Sequence, residues 1–265
     1  MKTDFKHYST VSLFRKSIYL LCFYRTITLF FLPINFWGAT TLPGGIKSIE
    51  YPWIFYSWMI SQLIAIILGW CNIFPRFMAL YIWYVTSFIA YGKFFINTSG
   101  DSLICIYLFF LLFIHPEKEN HFLSKGITNL FNQTFFKALQ LQVLLIYIVS
   151  SWHKWLDPDW VHGSAVEKIM QIGVFTFPLF QYEELSTLFL IMTWFSLIYQ
   201  TFFPIVIWFS KIKDYLLLIG IGLHLGIALV MGLFEFGIIM IVSYLLFRSE
   251  EKNKQTLAKL PRLLQ

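Results

Sequence analysis

The residues best able to do chemistry crowd into one stretch, Ser150–Gly163, reading SSWHKWLDPDWVHG. It packs two His, one Lys, two Asp and three Trp directly behind an apolar run long enough to cross a membrane. Polar groups at the end of a membrane span are costly unless they are paired, hydrated or used. Lys154 is the candidate base or positioning cation, with His153 beside it to assist. A lysine withdrawn from water becomes a usable base near neutral pH, and neighbouring carboxylates oppose that change. His153, His162, Asp157 and Asp159 have the right donor atoms for a metal, but no HxxxH or HExxH spacing occurs, so no metal is expected. The alternative is an anchor, in which the Trp rings sit at the membrane boundary and Lys154 reaches to water.

The flanking elements decide what surrounds Lys154. Asp157-Pro158 ends the preceding helix, because the residue before proline is pushed out of the helical region. Asp157, Asp159, Trp160 and His162 then fold back beside the helix end. Over Val161–Gly173, apolar residues recur at helical spacing with Ser164, Glu167, Lys168 and Gln171 between them. That pattern predicts an amphipathic helix at the interface, its polar face roofing the site. Asp101, Glu183, Glu184 and Glu235 are expected at the same membrane level, and at least one of Asp101, Asp157, Asp159 or Glu235 close enough to pair with Lys154. Two polar residues lie within apolar runs. Arg25 either contacts an anion or a lipid headgroup, or forms a buried pair with a carboxylate or helix-end carbonyls. His224 either bonds to a neighbouring helix or joins the chemistry. Both should face the protein interior.

Composition fixes the class. The 265 residues are 58% hydrophobic, 20% aromatic and 13% charged, against about 25% charged in soluble domains. The chain is expected to be an all-α, polytopic transmembrane helical bundle of about eight spans, with the interfacial helix in addition. The expected spans are 17–33, 53–70, 77–95, 103–114, 135–152, 187–209, 215–231 and 234–247. Between the fourth and fifth, 115–136 reads as the longest polar loop. Residues 1–16 form a polar N-terminus and 248–265 a basic tail, flanking a single domain. Turn signals stand at Pro43-Gly44-Gly45 and at the Asn97 sequon. The net charge of +6 does not point to nucleic acid, since the basic residues lie in short loops rather than on one stripe. With eight spans and an internal N-terminus, 15 of the 20 Lys and Arg fall inside and 4 outside, with Arg25 in the membrane. Both termini are therefore expected in the cytoplasm and Lys154 on the outer face. Cys22, Cys71 and Cys105 read as small buried side chains. Gly222 and Gly226 form a GxxxG that permits close helix approach. No P-loop, GxSxG or dinucleotide fingerprint is present. No repeat or pair of broken helices suggests a transporter.

Three segments carry a family resemblance. KWLDPDWVHGSAV at Lys154–Val166 resembles the signature of the HTTM family, the membrane domain related to vitamin K-dependent gamma-carboxylase. That signature sets a Lys at a span end, a Trp about six residues on, then a small-residue step. Here these are Lys154, Trp160, Gly163 and Ala165. Gly220–Phe247 is similar to the family's late His-bearing helix followed by a Phe-Gly-Met helix, and Asn97–Phe113 to its Gly-Asp turn. The resemblance implies an outward-facing site with Lys154 as base, His153 or His224 assisting, and a quinone or hydroquinone as possible cofactor. Arg25, Asp101, Asp157, Asp159, Trp160, His162 and Glu235 would form the pocket for substrate or cofactor. The animal carboxylase has two consecutive Lys, the second being its base. Aligned without gaps, the first matches Lys154 and the second falls on Trp155, which argues against Glu carboxylation; a one-residue insertion at Trp155 would instead put Lys154 in the base position. The large extra-membrane domain of that enzyme is also missing. By size the chain resembles bacterial members that help mature secreted peptide toxins with partner proteins. The expected function is modification or maturation of an exported peptide, or quinone-linked chemistry, at the outer face of a bacterial cytoplasmic membrane. The alternative is a non-catalytic subunit that binds a peptide or lipid for a partner.

Overall fold

A computed structural model describes residues 4–31, 41–42, 46–47, 51–92, 99–115, 124–172 and 185–260. The expected turn at Pro43-Gly44-Gly45, the Asn97 sequon, Glu183 and Glu184 lie outside the described residues. The chain is helical almost throughout. In order come α1 (Tyr8–Phe30), α2 (Pro52–Trp70), α3 (Pro75–Gly92), α4 (Ser99–Leu112), α5 (Lys125–Leu156), α6 (Pro158–Val161), α7 (Ala165–Gln171), α8 (Ser186–Val206), α9 (Lys213–Leu229), α10 (Phe234–Ser243) and α11 (Glu250–Lys259). A 3-10 turn, Tyr244–Leu246, extends α10. A small antiparallel pair, β1 (Thr41–Leu42) and β2 (Ile46–Lys47), sets Thr41 opposite Lys47.

Every apolar run expected to be a span contains a helix. Among the described residues, however, three helices combine the length and apolarity needed to cross a membrane: α2, α5 and α8. These make the chain a helical membrane protein. Ser99–Leu112 and Phe234–Leu246 are apolar but shorter, and a perpendicular crossing needs about 20 residues. α1 is long enough but carries Arg15, Lys16 and Arg25.

Backbone contacts divide the chain into two compact units, Met1–Lys137 with Ser249–Gln265, and Ala138–Arg248. In the first, α1 packs against α2, α4 and α11. The N-terminus of α1 has no side-chain cap of its own. Glu250 supplies one, accepting from the backbone N–H of Ser9 at 2.6 Å and of Thr10 at 3.0 Å. A carboxylate suits that end of a helix, where unpaired N–H groups carry partial positive charge. Arg15 does the reverse for the end of α4, donating to the Ile114 carbonyl at 2.6 Å. Deeper in the unit, Arg25 and Asp101 form an ion pair, 4% and 1% exposed.

One expectation fails in this unit and another gains detail. Helix α5 starts at Lys125, inside the segment read as a loop, because its first turns bury Thr128, Asn132 and Phe136 at four-residue steps. Two of those three are polar, so the buried stripe does not show in apolar periodicity. At about 1.5 Å per residue, α5 exceeds the roughly 30 Å hydrocarbon layer. The basic tail likewise folds as α11, with Ser249 accepting from the Lys252 N–H at its start. It docks on α1 through Glu250 and through Asn253, which donates to Thr10 Oγ1 at 2.8 Å.

In the second unit, α8 packs with α6, α7 and α9, and α9 with α10. Pro158 stops α5, as expected. Asp157 takes an extended conformation and its side chain accepts from the Asp159 N–H, capping α6. Gly163 reverses the chain at φ +84°. A Cβ there would crowd Leu190 Cδ1 at 2.2 Å and the Trp194 indole nitrogen at 3.1 Å, and the left-handed backbone itself favours glycine.

Candidate functional site

Gln140, Tyr147 and Lys154 recur every seven residues along α5, with Ser150 between the last two. Seven residues make almost two turns, so these side chains share one face. Ser196 and Gln200, one turn apart on α8, meet the C-terminal end of that face. Lys154 Nζ donates to Gln200 Oε1 at 2.9 Å and to Ser196 Oγ at 3.3 Å. Gln200 Oε1 also accepts from Ser150 Oγ at 3.0 Å. The Trp160 ring lies 3.8 Å from Nζ, a cation–π contact. Trp160 is placed there by the capped α6 and the Gly163 reversal.

These groups form the polar end of a cavity of about 460 Å³. The remaining wall is largely apolar, including Phe195, Leu223, Ile227, Met231 and Phe236. Gly222 and Gly226 also line it, and a Cβ on either would meet nothing within 4 Å. Their GxxxG therefore opens space rather than bringing helices together. The close helix approach belongs to Gly220 and Gly237. A Cβ on Gly220 would meet Tyr199 Oη at 2.0 Å, and one on Gly237 the His224 carbonyl at 2.5 Å.

The predicted site residues separate. Lys154 and Trp160 line the cavity. Lys154 has no carboxylate within ion-pairing distance among the described residues, contrary to the expected pairing, because the candidate acids are engaged or placed elsewhere. Asp101 pairs with Arg25 in the first unit. Asp157 caps α6. Asp159 pairs with Lys168 at 2.5 Å, and that hydrogen bond holds its carboxyl below the usual range. Glu235 occupies the first turn of α10, where the helix dipole favours a carboxylate. His153 and His162 are exposed.

His224 is 1% exposed and bonds through Nε2 to Tyr147 Oη at 2.8 Å. Tyr147 Oη is 2.5 Å from Tyr244 Oη, which is 3.1 Å from Tyr199 Oη. The histidine thus joins α5 to α9 through a buried tyrosine cluster, and it is not part of the cavity wall. The segment after α6 does not present its polar side to the cavity either. Val166 lines the cavity, and Val166 and Met170 pack on Phe189 of α8.

Trp155, which the expected gapless alignment sets at the base position, lies outside the cavity wall. It donates to Thr201 Oγ1 at 2.9 Å and stacks edge-on with Trp194. Adjacent helical residues point about 100° apart, so position 155 faces away from the cavity and position 154 faces into it. Sequence reasoning missed Ser150, Ser196, Gln200 and the tyrosines as partners. The seven-residue spacing from Gln140 to Lys154 was the available signal. Cys22 is buried as expected, whereas Cys71 is exposed at the end of α2.

Fold and site together define a helical membrane protein with one lysine at the polar end of an apolar cavity. The chain is similar to the Sporulation-delaying protein SdpB of Bacillus subtilis (strain 168), with 25% identity over 207 residues. The match covers 71% of this chain and 62% of SdpB, so the chain spans less than two thirds of that relative. No protein-family model and no solved structure matches the chain.

Proposed function

We propose that this chain is an HTTM-like membrane protein that acts on an exported peptide, with Lys154 as its central functional group. The observation that carries the reading is Lys154 itself. It reaches into a cavity where it meets neutral acceptors and a Trp face, and an anchoring lysine needs no such surroundings. The quoted motifs and the similarity to SdpB support the reading. In this proposal the chain crosses a bacterial cytoplasmic membrane about eight times as one domain. Both termini are inside and Lys154 is outside, as the Lys and Arg distribution favours. A quinone is the cofactor that the family resemblance implies, and a soluble or membrane partner the companion it implies. The gapless alignment, with Trp155 at the base position, argues that the chain does not carboxylate Glu with reduced vitamin K; Lys154 facing the cavity is what the alternative alignment, with an insertion at Trp155, would require.

One observation favours the second reading, a non-catalytic subunit that binds a ligand for a partner. Lys154 is the sole titratable side chain in the cavity wall among the described residues, and proton-transfer chemistry commonly uses a second group to receive or return the proton. Both readings are tested by comparing secreted peptides from cells with and without the chain. A peptide whose mass changes identifies modification. A peptide whose mass is constant but whose yield falls identifies the binding role. No difference in any secreted peptide refutes both, and carboxylation by the wild type would refute the exclusion of that activity.

A further inference from the structure

The polar groups of the cavity stand at one end only. There Lys154, Ser150 and Ser196 offer one ammonium and two hydroxyls, and Gln200 holds the ammonium in place. The rest of the wall is aliphatic or aromatic, or is the bare backbone of Gly222 and Gly226. Two of the lining residues, Ile219 and Gly222, are exposed, so the cavity reaches the surface beside an apolar side chain.

Three ligand classes can be weighed against this wall. A peptide segment brings an N–H and a C=O with every residue, and burying them unpaired is costly. The apolar part of the cavity offers them few partners. A quinone carries oxygens on opposite sides of its ring, and the second would lie against apolar wall. A single apolar chain ending in a carboxylate fits both halves. The chain lies along the glycine-lined wall, and the carboxylate supplies the counter-charge that no described residue gives Lys154. A cavity of about 460 Å³ is within the usual range for one small ligand.

We infer that the Lys154 cavity binds a single-chain amphiphile through a carboxylate headgroup, a long-chain fatty acid being the simplest example. The inference rests on this cavity being the functional site and leaves the exported peptide to act from outside it.

The test uses the full chain in lipid nanodiscs, labelled with a diazirine analogue of palmitate and mapped by mass spectrometry. Crosslinks are expected on the 219–231 stretch. Unlabelled palmitate should suppress them at least about tenfold better than its methyl ester, the scale of a charge-assisted hydrogen bond. Lys154→Gln should reduce them by a similar factor. Gly226→Leu, at a position with room for a side chain, should block labelling while leaving Lys154 in place. Equal competition by acid and ester would overturn the inference. So would crosslinks spread over the lipid-facing helices, or a menaquinone competing better than palmitate. Because the acid-to-ester comparison uses the wild type, misfolded variants do not blunt it. If Lys154→Ala keeps full activity on an exported peptide, the functional reading fails while the labelling result stands. If acid and ester compete equally but Lys154→Ala abolishes activity, this inference alone fails.

Discussion

Each unit of the molecule holds a basic side chain within an apolar helix, and the two are treated differently. Arg25 is buried and neutralised by Asp101. Lys154 meets a glutamine, a serine and an indole face, and looks into open volume. The first arrangement meets the charge from within the chain, and the space beside it is about 10 Å³, too small for an organic ligand. The second keeps donors available. Under the proposed function this difference separates a structural cation from a functional one, which sequence position alone does not, since both lie on apolar helices.

The largest effect should come from breaking the sealed pair. Arg25→Leu leaves Asp101 buried without its partner and should cost about 3–5 kcal/mol, seen as a marked drop in melting temperature in detergent. Adding Asp101→Leu should recover much of that loss. Lys154→Leu leaves no buried carboxylate behind and should change stability by less than about 1 kcal/mol. Equal losses from the two single variants would erase the distinction.

The glycines of α9 give the next contrast. Gly220→Ala drives a methyl into the Tyr199 and Tyr244 hydroxyls and should cost about 1–3 kcal/mol by overpacking. Gly226→Ala meets open space. It should be neutral or up to about 1 kcal/mol stabilising, since glycine is a poor helix former. Thermal unfolding of both variants is sufficient, and a destabilised Gly226→Ala would show that the cavity wall is packed.

A smaller effect concerns the cap on α1. Glu250→Gln keeps an acceptor but removes its charge, and should cost about 1 kcal/mol by the same melting measurement. The smallest effect involves His7, which stacks on Phe136 at 4.4 Å. Burial holds its imidazole below its ordinary value of 6.5, with Glu250 acting in the opposite sense. The fold therefore favours neutral His7. Its contribution is present above about pH 6.5 and is lost as pH falls through the lowered folded-state value. A His7→Phe variant should flatten that part of the stability profile, and an unchanged profile would dissociate it from His7.

Much of the helical plan was legible because long apolar runs leave little choice but helix. The end of α5 was legible too, from Asp157-Pro158, and Lys154 and Trp160 were found at the cavity. What stayed hidden has a common physical cause, polar residues used for packing. Thr128 and Asn132 disguise the start of α5, and Asn253 disguises the docking face of α11. The acidic residues near Lys154 in sequence suggested a salt bridge. They are instead spent on a helix cap at Asp157 and a surface pair at Asp159. Gly222 and Gly226 have the spacing of a packing motif, and only the third dimension shows the space in front of them.

The central claim is that Lys154 serves function rather than folding. It is tested most directly by measuring, on Lys154→Gln, the melting temperature and the yield of the exported peptide that depends on the chain. The account predicts a melting temperature near that of the wild type and loss of peptide activity. A variant that melts normally and supports full activity would contradict it.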